Sequence, residues 1–164
     1  MHTAEYWIEK LGLRAHPEGG FYKETYRSDE FIVSDSLPDR YNSDRSFSTT
    51  IYFMITKDSF SKFHKVNSDE FWFFHSGGSA KIYNLTNSGE LIIKHFGIDT
   101  DNNEFPQILI PQNTWFAAEV ENGDYVLLSC TVAPGFDFED FTLAERNEFI
   151  TDFPQHKQLI KKLT

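Results

Sequence analysis

His64 and Glu70, six residues apart in FHKVNSDEFWFF, are the two side chains whose types and spacing best support chemistry. Asn67-Ser68-Asp69 between them is turn chemistry and the flanks alternate as strands do, so the pair falls on consecutive strands joined by a tight turn. Positions 64 and 66 then share one sheet face, and Glu70, opening the next strand, brings a carboxylate toward the imidazole. A histidine held by a carboxylate has a fixed tautomer and a raised pKa, which suits it to accept a proton near neutral pH. The plainer reading is a buried polar pair that fixes strand register. Under either reading both side chains are expected to face an internal cavity.

The elements that must position them are short β-type runs: FSTTIYFMI, FSKFHKV, EFWFFH, AKIYNL, ELIIKHF, QILIP, TWFAAEV and DYVLLSCTV. Ser76-Gly77-Gly78, Asn87-Ser88-Gly89 and Asn122-Gly123-Asp124 separate them, the last two being hairpin signals because Gly or Asn supplies positive φ. This spacing predicts an all-β sandwich or barrel with a mainly antiparallel meander. Ahead of it, Thr3 can cap and Gly12 can close a helix over Thr3–Leu11, and Phe21 to Tyr26 alternates as a first strand. Ser34 to Arg45 reads as a loop. Beyond Gly135, Phe141, Leu143, Ala144, Phe149 and Ile150 recur at helical spacing and predict one helix before Pro154, with HKQLIKKL forming another. Neither a repeat nor a linker interrupts residues 1–164, which are therefore read as a single domain.

Charge and composition narrow the partners. With 25 acidic against 15 basic side chains, the net charge of −10 repels phosphate backbones and anionic lipid, so neither nucleic acid nor a membrane is expected. Seventeen Phe, seven Tyr and three Trp supply large rigid surfaces for a core or a pocket. A lone Cys130 cannot form an internal disulfide, and it sits in the apolar run VLLSCTV as a buried, inert thiol. No signal-peptide layout opens the sequence, which points to a cytoplasmic protein.

The spacing around His64 is similar to the first motif of the cupins, in which a His-x-His pair, a Glu and a closing glycine follow one another. His64, Val66, Glu70 and Gly77 occupy those positions, with Asp58 at the leading glycine. Pro111-Gln112-Asn113 resembles the turn of the second motif, but Phe116 and Val120 stand where its His and Asn would. Only two of the usual four metal-site residues are therefore kept, and no cofactor is expected; a divalent metal would need ligands from outside the two motifs. The blocks HPEGGFYKETYRS, STTIYFMI, FHKVNSDEFW, PQNTWFAAE and CTVAPGFDFEDF further resemble the cupin-5 family, a domain of unknown function. That resemblance implies a double-stranded β-helix (jelly-roll barrel) with a short N-terminal helix and C-terminal helices, similar in fold to deoxy-sugar-nucleotide epimerases. It also implies a homodimer, which would cover sheet edges. Members commonly carry a His where this chain has Phe73.

The same resemblance marks Glu18, Tyr22, Glu24 and Arg27, then His64, Asp69, Glu70 and Trp72, then Trp115 and Cys130. Glu18 beside Gly19-Gly20 reads as a turn residue rather than a catalytic one, and Asp69 as an Asx-turn. Trp72 and Trp115 can stack on a sugar or base, or belong to the core, and Phe116 joins them as a pocket aromatic. In an acid–base reaction His64 would take a proton next to a carbonyl, Tyr22 or Tyr52 would act as the opposing acid, and Arg27 would hold an anionic tail. The leading expectation is a small-molecule-binding barrel centred on His64 and Glu70. A metal-independent sugar-nucleotide epimerase or isomerase is the first alternative. A metal-dependent enzyme with non-standard ligands, or a non-enzymatic scaffold, stand behind it.

Overall fold

A computed structural model describes residues 2–164. The chain runs α1 (Ala4–Leu11), β1 (Arg14–Ala15), β2 (Phe21–Arg27), β3 (Phe31–Ile32), β4 (Arg45–Ser46), β5 (Thr49–Thr56) and β6 (Phe60–Lys65). It continues through β7 (Asp69–Leu85), β8 (Leu91–Phe96), β9 (Glu104–Phe105), β10 (Gln107–Ile110), β11 (Trp115–Ala133) and β12 (Thr142–Leu143) to α2 (Arg146–Asp152) and α3 (Lys157–Lys162). The first helix is bounded as its sequence dictates: the Thr3 side chain accepts from the Tyr6 amide, and Gly12 closes the end in the left-handed region at φ 65°.

The long strands β7 and β11 pair with each other from Trp115↔Leu85 to Ala133↔Asp69 and organise everything else. The far half of β11 pairs with β5, which pairs with β2, while the near half of β7 pairs with β10. Conversely, the near half of β11 takes β6 and the far half of β7 takes β8. Each long strand thus belongs to two sheets, which face each other as a jelly roll. Most sequential strands are not neighbours, so the expected meander reduces to the β7–β8 hairpin, closed at Gly89 (φ 84°) as its Asn-Ser-Gly signal predicted.

Two expected turns are therefore bends inside strands. Ser76-Gly77-Gly78 and Asn122-Gly123-Asp124 lie opposite each other where the pairing of β7 and β11 shifts register. A Cβ on Gly78 would lie 1.7 Å from the Asn122 carbonyl oxygen, so glycine is there for backbone approach at a bulge. Similarly, Phe141 to Ala144 is extended, with β12 pairing Leu143 with His64, and the helix begins only at Arg146, where the Glu145 side chain caps it. Apolar spacing alone could not separate those two stretches.

Strand parity separates three apolar layers. Phe53, Ile55, Trp72, Ile82, Phe116 and Leu128 meet between the sheets. Met54, Tyr125 and Leu127 turn outward under α1, and Phe63, Leu85 and Ala117 turn outward under α2 and α3. A strap after β11 crosses one end of the sandwich and carries Phe136, Phe138 and Phe141. It is tied down by Arg45, whose Nε and Nη2 donate to the two Asp140 carboxylate oxygens at 2.7 and 2.8 Å with both side chains buried. In the sequence Arg45 stands only at the end of a loop. None of the helices among the described residues is long and apolar enough to cross a membrane.

Candidate active site

The turn between β1 and β2 makes the site. Gly19 (φ 110°) and Gly20 (φ 69°) fold it tightly enough that a Cβ on Gly19 would fall 2.1 Å from the Phe60 carbonyl oxygen. The turn is thereby pressed onto β6, where the Lys62 amide donates to the Glu18 carbonyl at 2.9 Å. This inserts the Glu18 side chain into the interior, where Ser61 donates to its Oε1 at 2.7 Å. Glu18 is thus not the surface turn residue the sequence suggested.

Glu18 Oε2 meets two imidazoles, His64 Nε2 at 3.2 Å and His16 Nδ1 at 3.3 Å. His64 Nδ1 lies 2.7 Å from the Lys62 carbonyl, which can only accept, so that nitrogen carries the hydrogen and Nε2 presents a lone pair. His16 Nδ1 accepts from the Glu18 amide at 3.3 Å. Both nitrogens facing Oε2 therefore act as acceptors, and the hydrogen between them belongs to the carboxyl. Burial agrees, raising the Glu18 pKa to about 7 against the pull of His16 and the Ser61 hydrogen bond.

The raised His64 pKa anticipated from a carboxylate partner is not found. Burial lowers it, outweighing the Lys62 hydrogen bond and the attraction of Glu70. Glu70 faces the same cavity, but its Oε1 accepts from Trp72 Nε1 at 2.6 Å and the Cys130 thiol also donates to this carboxyl. Burial, followed by the proximity of Glu18, raises the Glu70 pKa. The carboxyl that orients His64 is therefore that of Glu18. Cys130 lines the cavity with its own pKa raised by burial and by Glu70, so the inert-thiol reading stands.

These groups stand in a cavity of about 230 Å³ that is walled by Tyr22, Ile51, Phe53 and Trp72 and opens beside the strap. At its mouth Arg27 donates through Nε and Nη2 to both oxygens of Glu24, at 3.1 and 2.7 Å, and through Nη1 to the Phe136 carbonyl. Arg27 is thereby engaged within the protein. Arg14 lies above the Tyr22 ring at 5.0 Å and also lines the cavity.

Of the residues singled out in the sequence, His64, Glu70, Tyr22, Glu24, Arg27 and Trp72 come together here. Three do not. Tyr52 lies on the outer face of β5, edge-on to His75. Trp115 also points outward and packs against Phe149 at 4.9 Å. Phe116 is fully buried behind His64, ring to ring at 4.0 Å, and supports it without lining the cavity. Asp69 accepts from the Gln112 amide rather than closing its own turn. Phe73 stacks beside Phe71 outside the cavity, so its departure from the family pattern leaves the cavity wall unaltered. His16, Glu18 and Ser61 complete the site. The signal for Glu18 was the Gly-Gly pair after it, which demands a backbone approach.

The residues present do not fit the four-ligand cupin metal cage. Val66 is apolar, the Phe116 ring packs on His64 where the second-motif histidine would stand, and Glu70 is engaged by Trp72 and Cys130. Among the described residues, no three His, Cys, Asp or Glu side chains are grouped as metal ligands.

Comparison with known proteins agrees with this architecture. A protein from Shewanella oneidensis of known structure is 35% identical, with a TM-score of 0.90, covering 100% of this chain and 98% of its own. A hypothetical protein from Leishmania major is 30% identical, also at 0.90, covering 99% of both chains. An uncharacterised protein of Saccharomyces cerevisiae is 34% identical over 147 residues, 82% of this chain and 72% of its own length. Oxalate decarboxylase from Bacillus subtilis, at 14% identity and a TM-score of 0.55, shares the fold over 92% of this chain and 36% of its own. Residues 5–144 match the model of Cupin_5, Cupin superfamily (DUF985), and the chain belongs to that family.

Proposed function

We propose that this cupin binds a small carbonyl compound in its cavity and moves a proton on it with the Glu18–His64 pair. The observation that carries the reading is Glu18 itself: a buried carboxyl, 3.2 Å from an unprotonated imidazole nitrogen, with a pKa of about 7. Catalytic acids and bases work best when their pKa lies near the working pH, and burial is the ordinary way to bring a Glu there. The ligand replaces the direct Glu18–His64 contact, and His64 Nε2 then takes the proton from the carbon next to the carbonyl while Glu18 gives its own to the carbonyl oxygen, leaving an enol, an imidazolium and a carboxylate. Return of the proton to the same carbon exchanges its hydrogen with solvent, and return to the former carbonyl carbon of a hydroxy carbonyl compound isomerises it.

The cavity is not filled by side chains, which favours a pocket over a scaffold. Its volume of about 230 Å³ is below the roughly 300–1,000 Å³ of drug-sized pockets, so it suits a small metabolite better than a whole sugar nucleotide. Proton NMR in D₂O tests the reaction without knowledge of the natural substrate. Small aldehydes, ketones and oxo acids incubated with the protein should lose a signal next to the carbonyl, and Glu18→Gln and His64→Asn should slow that exchange at least a hundredfold with folding intact. If no compound exchanges faster than in buffer, or Glu18→Gln exchanges as fast as the wild type, the proposal fails.

A further inference from the structure

Four charged side chains surround the cavity mouth, and three of them are occupied. Glu24 and Arg27 hold each other bidentately, and the Asp137 carboxylate accepts from the Glu139 amide. Arg14 is the exception: among the described residues it makes no ion pair and no side-chain hydrogen bond, although it lines the cavity. Its guanidinium is held over the face of Tyr22, whose Cα is its partner across β1 and β2. Contact with the ring holds the guanidinium at the mouth while its N–H groups have no partner among the described residues, and a guanidinium so placed can bind a planar or tetrahedral oxyanion through two parallel hydrogen bonds.

Resting on the proton-transfer reading above, we propose that Arg14 anchors an anionic group of the ligand, so that the site takes small oxo compounds bearing a carboxylate or phosphate. Arg14 and His16 are two residues apart, about 7 Å along an extended chain, and both line the cavity. An oxyanion on Arg14 therefore places the next few atoms of a short ligand beside His16, Glu18 and His64. Of the other charged groups at the mouth, Glu24 and Arg27 neutralise each other and Asp137 is held by the Glu139 amide, so Arg14 is the cation there, among the described residues, without a counter-charge. Arg27, the cation the sequence suggested for this task, already has its donors engaged by Glu24 and Phe136.

Titration calorimetry with matched probes decides the matter. Pyruvate and dihydroxyacetone phosphate are the charged probes, and methyl pyruvate and dihydroxyacetone their neutral counterparts. At least one charged probe should bind the wild type, its counterpart tenfold or more weaker, and Arg14→Gln should weaken the charged probe at least tenfold. Arg14→Lys should retain more phosphate than carboxylate binding, because an ammonium acts as a point charge and cannot form the fork. The inference is overturned if neither charged probe binds, if the neutral counterparts bind as well, or if Arg14→Gln leaves affinity unchanged. Binding that depends on Arg14 without deuterium exchange would uphold the anchor and sink the proton transfer. Exchange in the neutral probes, undiminished by Arg14→Gln, would do the reverse.

Discussion

Glu18 Oε2 and His64 Nε2 face each other at 3.2 Å with the roles of both already assigned, because the Lys62 carbonyl takes the imidazole hydrogen at Nδ1 and Ser61 donates to the other carboxyl oxygen. One proton is therefore held at this contact, and the fold binds it more tightly than the unfolded chain does.

That proton has a signature in stability. With a pKa of about 7 folded against 4.5 unfolded, Glu18 makes folding take up a proton, so its contribution falls as pH rises from 4.5 to about 7. His16 and His64 act in the opposite sense: their lowered pKa values mean that the unfolded chain binds more protons below about 6.5. Glu18→Gln removes the first effect and, by taking away the Glu18 attraction that partly offsets the burial of His16, strengthens the second in the same direction. Relative to wild type, the variant should gain on the order of 3 kcal/mol between pH 4.5 and 7, read by urea unfolding at several pH values. A pH-independent difference would show that Glu18 is ionised in the folded protein.

The two tyrosines considered for the opposing acid separate by face. Tyr22 lines the cavity and Tyr52 does not. Tyr22→Phe should reduce deuterium exchange at least tenfold if its hydroxyl assists the carbonyl, whereas Tyr52→Phe should stay within about twofold of wild type. Equal losses in both would mean that the change acts through packing.

Asp140 and Glu139 both reach Arg45, in different surroundings. The Asp140 pair is buried, while Glu139 is 58% exposed and 3.5 Å away. Asp140→Asn leaves a buried guanidinium without its counter-charge and should cost about 3 kcal/mol in urea unfolding. Glu139→Gln should change stability by no more than about 0.5 kcal/mol.

Cys130 provides a probe of cavity access. Its thiol is buried, donates to Glu70 and has a raised pKa. At pH 8 the native protein should react with iodoacetamide at least a hundredfold more slowly than the urea-unfolded chain. Rapid modification would mean that the strap opens readily.

The strands were legible because period-two runs and turn residues dictate them, and the two-motif spacing placed His64 and Glu70 on a common interior. Parity held more than was first taken from it. Phe53 and Phe116 face inward, so their neighbours Tyr52 and Trp115 must face outward. The bends at Gly77-Gly78 and Asn122-Gly123 were opaque, since a glycine that permits two backbones to approach looks the same as one that turns a hairpin. Glu18 was hidden for a related reason. Its burial depends on where a turn docks, and that is set by Phe60 and Ser61, some forty residues along the chain.

The two faces of β11 serve different constituencies. Phe116 and Ala118 look into the sandwich between the sheets, while Trp115 and Ala117 carry α2 and α3. A substitution among the helix-facing side chains of β11 can therefore rework the exterior, and whatever meets it, while the cavity-side wall of the same strand stays as it is.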